Sequence, residues 1–292
     1  MEILVSLLGL GVGGLVNVLA DSLPRSRRPE RPHCPSCTAP RPLSAWLGLV
    51  ALFTKGWRCL YCDTPRNWRT PLIEIVMMAG ALWLYIGDPF PTNFWPAFII
   101  FSIFLLITVI DIEHRLILHV VTGPSALLIG LFGVLDPERG FQKTLVGGVV
   151  GFGVVLGLYL LGGVFARLVA RLRGQILDEV AFGFGDVTLA GVLGLSVGYP
   201  GILIALFLGI LAAGEYSLVH ILFMFSRRKY KAFVPFPYGP FLVLGASIVY
   251  FGRGSLEDTI FPFGPLWFLG LLIVFFTAMS ARERLRGTSK TG

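Results

Sequence analysis

Residues 181–191 read AFGFGDVTLAG, with two glycines, Gly183 and Gly185, just before Asp186 and an apolar run directly after it. An ionisable side chain at membrane depth is costly and usually serves a function. The glycines weaken a regular helix and leave room for a second backbone to come close. The stretch therefore predicts a functional carboxylate at the edge of a membrane-spanning segment.

The composition of the whole chain is that of an integral membrane protein. Of 292 residues, 55% are hydrophobic and 14% are charged, and the mean hydropathy is +0.78. A soluble domain carries about 25% charged residues. The 36 glycines suit the close approach of helices in lipid. We therefore expect an all-α polytopic membrane protein.

Nine apolar segments approach the length of about 20 residues that a spanning helix needs. They lie at 3–20, 70–87, 94–111, 116–135, 143–166, 187–198, 200–224, 238–251 and 264–281. The sixth and eighth are short, and residues 187–225 form either two helices or one re-entrant unit. The prediction is eight or nine transmembrane helices.

These segments divide the chain into four parts. We expect a first transmembrane helix over residues 1–20, a small cytoplasmic domain over 21–69, a transmembrane core over 70–281 and a basic cytoplasmic tail over 282–292.

Lysine and arginine are distributed unequally between the loops. If nine helices alternate, 21 of the 24 fall on one side, and the other side holds Arg139, Lys143 and Arg253. By the positive-inside rule, the N-terminus and residues 88–93 and 136–142 lie outside, and the C-terminus lies in the cytoplasm. The net charge of +7 is then a topology signal, and we expect no nucleic-acid partner.

All four cysteines lie in the predicted cytoplasmic domain, in two C-x-x-C pairs: Cys34 with Cys37, and Cys59 with Cys62. Two such pairs complete a tetrahedral zinc site, and four thiolates leave no open position, so the metal would be structural. Disulfides are the alternative, which a reducing cytosol disfavours. His33 adjoins Cys34 and is interpreted as a bystander.

A second carboxylate matches Asp186. Asp111 ends the third apolar segment, in LLITVIDIEHRLI at 105–117, on the same predicted side of the membrane. Two carboxyl groups in one site do not ionise easily together, so one keeps its proton. The ionised member can take a proton from water while the other donates to a carbonyl oxygen, which is aspartic-protease chemistry.

Other interpretations of these aspartates stay open. They could simply mark the membrane interface, or Asp111, Asp186 and Glu215 could form the proton relay of a transporter. A transporter predicts an internal repeat of broken helices, which is not visible. A non-enzymatic scaffold built around the zinc domain gives no reason for two aspartates at one depth.

Four further acidic or basic residues lie in or next to the apolar segments. Glu74 opens the second segment. Glu113 is interpreted as an interfacial charge in water. Glu215 and His220 lie inside the seventh segment and are expected to face the bundle interior, because exposure to lipid is costly.

Six stretches, taken in order, resemble the type IV prepilin leader peptidase/N-methyltransferase family of intramembrane aspartyl proteases, which carries a G-x-G-D motif. The stretches are GGLVNVLADSLP (13–24), HCPSC with RCLYC (33–37 and 58–62), RTPLIEI (69–75), DIEHRLI (111–117), FGFGDVTLAG (182–191) and VPFPYGPFLVLGA (234–246). The resemblance covers most of the chain.

The resemblance implies catalytic roles for Asp111 and Asp186, which the motif glycines Gly183 and Gly185 support. It also implies metal binding by the four cysteines. Glu74 matches a PLxE pattern of the family, which implies a role in substrate docking or methylation. The implied activity is removal of a short basic leader from prepilins or pseudopilins after a glycine, at the cytoplasmic face of the bacterial inner membrane. The family commonly also methylates the new N-terminus with S-adenosylmethionine.

The chain departs from the family pattern at three places. Thr188 stands where lysine is usual, and Leu118-His119 stands where Pro-Asp or Pro-Asn is common. The final segment, 264–281, goes beyond the eight helices usual in the family. The aspartates are intact, so these departures concern how the substrate is bound rather than the reaction.

Overall fold

The computed structural model describes residues 1–34, 36–42, 45–87, 94–173, 183–226 and 237–252. Over these ranges the fold is all-helical and contains no strand. The helices are α1 (Glu2–Ser26), α2 (Gly48–Leu52), α3 (Arg69–Ile86), α4 (Phe94–His114), α5 (His119–Leu135), α6 (Gly140–Arg173), α7 (Phe184–Val197), α8 (Gly201–Ser226) and α9 (Gly239–Phe251). A 3₁₀ turn at Lys55–Trp57 follows α2.

Among the described residues, five helices are long and apolar enough to cross a membrane: α1, α3, α4, α8 and the first part of α6, Gly140–Val164. The apolar helices α5, α7 and α9 are shorter, with 17, 14 and 13 residues. At 1.5 Å per residue, α7 and α9 extend only about 20 Å, whereas the hydrocarbon core is about 30 Å thick. The chain is therefore a multi-pass membrane protein whose apolar helices differ in length.

Eight of the nine predicted apolar segments are helices. The alternative of one re-entrant unit over 187–225 does not hold, because α7 and α8 are separate helices joined by a turn at 198–200 that contains a cis Tyr199–Pro200 bond. α1 continues to Ser26, six residues beyond the predicted boundary. The ninth segment, 264–281, and the tail, 282–292, lie outside the described residues.

Glycine lets pairs of helices pack closely. α1 and α3 run side by side, and a β-carbon at Gly13 would lie 2.8 Å from Cα of Glu74. Gly147 of α6 and Gly194 of α7 face each other backbone to backbone. In lipid, where apolar burial gives no driving force, this close van der Waals contact is what holds helices together.

Buried Arg69 joins three helix ends at one end of the bundle. Its guanidinium forms ion pairs with Asp21 of α1, at 2.6 Å, and with Glu113 of α4. Glu113 was predicted to be an interfacial charge. It lies at this end of the bundle, but its side chain is only 17% exposed and is paired with Arg69 rather than free in water. We call this end of the bundle the polar end.

A second buried arginine closes the opposite end. Arg139 pairs with Asp136 at 2.6 Å and donates to the carbonyl of Ser196 at the end of α7. Its guanidinium also lies over the ring of Tyr250, near the end of α9. The far ends of α7 and α9 are thus fixed by one side chain.

Glu215 and His220 are both exposed on α8, so the prediction that they face the bundle interior is wrong. The packed stripe of α8 runs through Ala205, Gly209 and Ala213, which contact α9 or lie buried beside it. Glu215 is two residues past Ala213, which is about 200° around the helix and away from that stripe.

Candidate active site and cysteine cluster

Asp111 lies at the polar end of α4 and is buried, with 4% of its surface exposed. Its Oδ2 accepts a hydrogen bond of 3.0 Å from the backbone N–H of Gly239, the first residue of α9. The N-terminus of a helix carries partial positive charge and unpaired N–H groups, both of which favour a carboxylate. Asp111 is therefore held by a helix that begins 128 residues later.

Asp186 is also held by a helix N-terminus, that of its own helix. It is the third residue of α7, and its Oδ2 accepts a hydrogen bond of 2.9 Å from the backbone N–H of Gly183, the N-cap. The backbone N–H of Asp186 donates in return to the carbonyl of Gly183, at 3.0 Å. The position of the carboxylate is thus defined by the first turn of α7.

The motif glycines lie at the start of α7 rather than in a helix interior. Gly183 has an ordinary extended conformation, so it is not needed for an unusual backbone angle. Gly185 faces the segment that follows α4, and a β-carbon there would lie 2.8 Å from Cβ of Ile117. Gly185 therefore allows α7 to approach the segment that directly follows α4, the helix that carries Asp111.

The two carboxyl groups come together at the polar end, where Asp186 acts electrostatically on Asp111. Tyr238, directly before Gly239, also lies within electrostatic range of Asp186. Each aspartate is held through one oxygen, and in the described ranges no donor takes the second oxygen of either. The second oxygen of each carboxyl group is thus available to a bound water.

An open apolar groove of about 470 Å³ runs between α5, α6 and α7. Its lining includes Gly123 of α5, Phe152 of α6 and Gly191 of α7. The polar side chains in its lining are His119, Thr122 and Thr188, and Thr188 lies two residues, about 200° around α7, from Asp186. The hydroxyl of Thr188 donates to the carbonyl of Gly185, at 2.8 Å.

The four cysteines form one cluster, with all Sγ atoms within 4.8 Å of one another. Cys34 and Cys62 are 3.6 Å apart, and Cys37 and Cys59 are 3.5 Å apart. A disulfide would require about 2.05 Å, so the thiols are free. Tetrahedral zinc with Zn–S distances near 2.3 Å places its sulfurs about 3.8 Å apart. The cluster therefore fits a structural metal ion.

The cluster is built from two copies of one local motif, C-x-x-C-x-x-P-R, at 34–41 and 59–66. In the first copy the N–H of Cys34 donates to Ala39, and in the second the N–H of Cys59 donates to Thr64. The residue after each pair, Thr38 or Asp63, has a positive φ. The cysteine spacing alone did not indicate this repeat.

Local hydrogen bonds favour the thiolate form at the second pair. The hydroxyl and backbone of Thr64 lower the pKa of Cys62 to about 6. The backbone N–H groups of Tyr61 and Cys62 lower the pKa of Cys59. Since a metal binds the thiolate rather than the thiol, this pair is prepared for a cation.

Glu74 contacts the cysteine domain and not the aspartates. It is fully buried, and its two oxygens accept hydrogen bonds from the backbone N–H groups of Gly48, at 2.6 Å, and Leu49, at 2.7 Å. Both groups belong to the first turn of α2. The structure thus shows Glu74 fastening α2 to α3.

Gly239 and Arg69 are the site residues that local sequence reasoning missed. The Y-G-P-F stretch before α9 carried a signal for a helix start, since proline is favoured in the first turn. Nothing in the sequence indicates that this start lies against Asp111, because such a contact is long-range.

Two family models match the chain. One, described as the type IV leader peptidase family, matches residues 98–218, and the other, described as the bacterial peptidase A24 N-terminal domain, matches residues 7–87. The first range contains Asp111 and Asp186, and the second contains the cysteine cluster.

Curated relatives carry the name prepilin leader peptidase/N-methyltransferase. The one from Legionella pneumophila is 25% identical, and the alignment covers 88% of this chain and 93% of that protein. The one from Pectobacterium carotovorum subsp. carotovorum is 30% identical over 73% of this chain and 70% of that protein. The one from Dickeya chrysanthemi is 28% identical over 83% and 89%. No solved structure matches the chain significantly.

Proposed function

The chain belongs to the type IV leader peptidase family, and on this premise we propose that it is an intramembrane aspartic endopeptidase acting on type IV prepilins or pseudopilins. It removes the short basic leader after a glycine, at the cytoplasmic face of the bacterial inner membrane. The names of the relatives, prepilin leader peptidase/N-methyltransferase, support this substrate class.

One observation supports the aspartic mechanism above all. Asp111 and Asp186 come from different helices, interact electrostatically, and are each held through one oxygen by a backbone N–H. Arg115 also lies within electrostatic range of Asp111. These contacts support a pair that shares a water and a single proton.

The reaction follows from that arrangement. The ionised carboxylate takes a proton from the shared water, whose oxygen attacks the carbonyl carbon of the scissile peptide bond. The protonated carboxyl donates its proton to the carbonyl oxygen, giving a neutral tetrahedral intermediate. The carboxyl that took the proton from water then gives it to the leaving amide nitrogen, while the other carboxylate takes a proton from a hydroxyl of the intermediate. The C–N bond breaks, and the pair returns to its starting state.

The apolar groove supplies a place for the part of the substrate that stays in the membrane. It lies between α5, α6 and α7, on the face of α7 away from Asp186, so a substrate helix seated there would reach the two aspartates around the N-terminus of α7, where Gly183 and Gly185 lie. Apolar helices dock into grooves of this kind through side chains on one face. We assign the groove to the first turns of the prepilin's apolar segment.

The cysteine cluster and the second activity form a separate part of the proposal. The cluster would hold structural Zn²⁺ through Cys34, Cys37, Cys59 and Cys62, which orders the domain at 21–69. Methylation of the new N-terminus with S-adenosylmethionine rests on the names of the relatives. The distribution of basic residues supports an N-terminus outside and an active site on the cytoplasmic side.

The experiment that tests this function uses the full chain in lipid nanodiscs. The substrate is a peptide with a basic leader, a glycine and an apolar helix, and mass spectrometry follows leader release. With S-adenosylmethionine present, the trimmed peptide should also gain the mass of one methyl group. An intact peptide, together with proton flux through the protein in sealed vesicles, would favour the transporter instead.

A further inference from the structure

The segment at 46–53 packs against the side of the membrane bundle, although it belongs to the cysteine domain. Leu47 lies against Gly14 of α1, where a β-carbon would be 2.6 Å from Cδ2 of Leu47. Gly48 lies against α3, where a β-carbon on Gly48 would be 2.8 Å from Cγ2 of Thr70. Together with the hydrogen bonds to Glu74, these contacts fix α2 on both helices.

The depth of these contacts can be read along the two helices. The ion pair between Asp21 and Arg69 marks the polar boundary on α1 and α3. At 1.5 Å per residue, Glu74 lies about 8 Å inward from Arg69, and Gly14 lies about 10 Å inward from Asp21. Segment 46–53 thus extends inward from the level of Arg69, where Gly48 meets Thr70 and Arg66 donates to the carbonyl of Trp46, to the level of Gly14, where Leu47 packs.

The side chains that this segment leaves uncovered are apolar. Trp46 and Val50 are exposed over more than a third of their surface, and Phe53 is 81% exposed. Trp68, directly before α3, is 68% exposed and contacts the ring of Trp57 at 4.9 Å. Tryptophans at this level are typical of the boundary between hydrocarbon and headgroups.

The charge of the surrounding domain fits an anionic lipid surface. Residues 21–69 contain nine lysines and arginines and three acidic residues, Asp21, Glu30 and Asp63, so their formal balance is 9 − 3 = +6 before a metal and four thiolates contribute −2. A basic surface beside an apolar one binds the cytoplasmic leaflet through both headgroups and acyl chains.

We propose that residues 46–53 insert into the cytoplasmic leaflet, where Val50 and Phe53 contact phospholipid acyl chains just below the headgroups. The cysteine domain is then embedded in the membrane surface rather than free in the cytoplasm, with Glu74 as its anchor. The inference needs only that α1 and α3 span the bilayer, and it does not depend on the proteolytic function.

Photocrosslinking of the full chain tests the proposal. Benzoylphenylalanine replaces Phe53, and the protein is placed in nanodiscs of phosphatidylethanolamine and phosphatidylglycerol. Leu127 of α5, 79% exposed, is the position expected to touch lipid, and Ser36, exposed in the first cysteine pair, is the position expected to touch water. Lipid adducts should form at 53 and 127 and not at 36.

Three results would overturn the proposal. The probe at position 53 could give no lipid adduct while the probe at position 127 gives one, or it could crosslink to another protein. Equal amounts of lipid adduct at positions 36 and 53 would also contradict it. Zinc content verifies that each variant is folded, and Val50 takes the probe if the Phe53 variant loses zinc. Hydroxyl-radical footprinting of the unmodified chain gives a second readout. Oxidation of Phe53 should be as low as that of Phe207 on α8, and strong oxidation of Phe53 alone would contradict insertion.

Discussion

The backbone N–H of Gly239 donates a hydrogen bond of 3.0 Å to Oδ2 of Asp111, across 128 residues of sequence. A β-carbon on Gly239 would lie 2.6 Å from that same oxygen. The contact therefore requires glycine, and it ties the start of α9 to the carboxylate at the polar end of α4.

Replacing Gly239 with alanine should displace Asp111 and lower prepilin cleavage by about 10- to 100-fold, since a shift of about 1 Å in a reacting group has effects of this size. Gly153→Ala is the matched control, because a β-carbon there meets no atom within 4 Å. The measurement is the rate of prepilin cleavage by each purified variant. Equal activity in both would show that the Gly239 contact does not position Asp111.

Arg69 should be important for stability because it is buried between two carboxylates. Arg69→Gln leaves partly buried Glu113 without its cation, and removing one partner of a buried pair is strongly destabilising. We expect the thermal midpoint in detergent to fall by several degrees. Arg58→Gln is the control, since Arg58 and Asp63 form an exposed pair worth about 1 kcal/mol or less. Equal midpoints for the two variants would contradict this role.

The cysteine cluster should hold one zinc ion per chain. Cys34→Ser removes a fully buried ligand, so zinc should be lost and residues 21–69 should become sensitive to protease. His33→Ala changes the neighbouring side chain, which is not part of the cluster, and should retain zinc. Elemental analysis provides the measurement. Purified wild-type protein without zinc or another tetrahedral metal would exclude the site.

Filling the groove should weaken substrate binding. Gly123→Leu places a side chain in the groove lining, whereas Gly153→Leu adds the same side chain at an equally open position outside that lining. An unaccommodated side chain costs about 1–3 kcal/mol, so KM for the prepilin should rise about tenfold in the first variant only. An unchanged KM for the Gly123→Leu variant would show that the substrate does not bind in the groove.

The apolar periods of the sequence were sufficient to locate the helices, because a spanning helix must be apolar over nearly its whole length. The eight segments within the described ranges match helices to within a few residues at most ends. The largest differences are the extra turns at the ends of α1 and α6. Such ends are set by caps and by contacts with neighbouring helices, which a hydropathy pattern does not contain.

The errors and omissions concern side chains whose surroundings come from distant parts of the chain. Glu113 looked like a solvated charge, but its partner Arg69 lies 44 residues away. Glu215 looked like an interior residue, but the packed face of α8 lies on its other side. Glu74 stood out in the sequence, yet its contact with α2 depends on how the cysteine domain folds back.

The central claim is that Asp111 and Asp186 act as one catalytic pair. Its most direct test is cleavage of a prepilin by purified Asp111→Asn and Asp186→Asn variants in nanodiscs. Asparagine keeps the shape of the side chain but cannot exchange the proton, so each variant should lose at least about 100-fold in cleavage rate. Methylation of an already trimmed pilin should survive and show that the variants are folded. Cleavage by Asp186→Asn at a rate near that of the wild type would contradict the account.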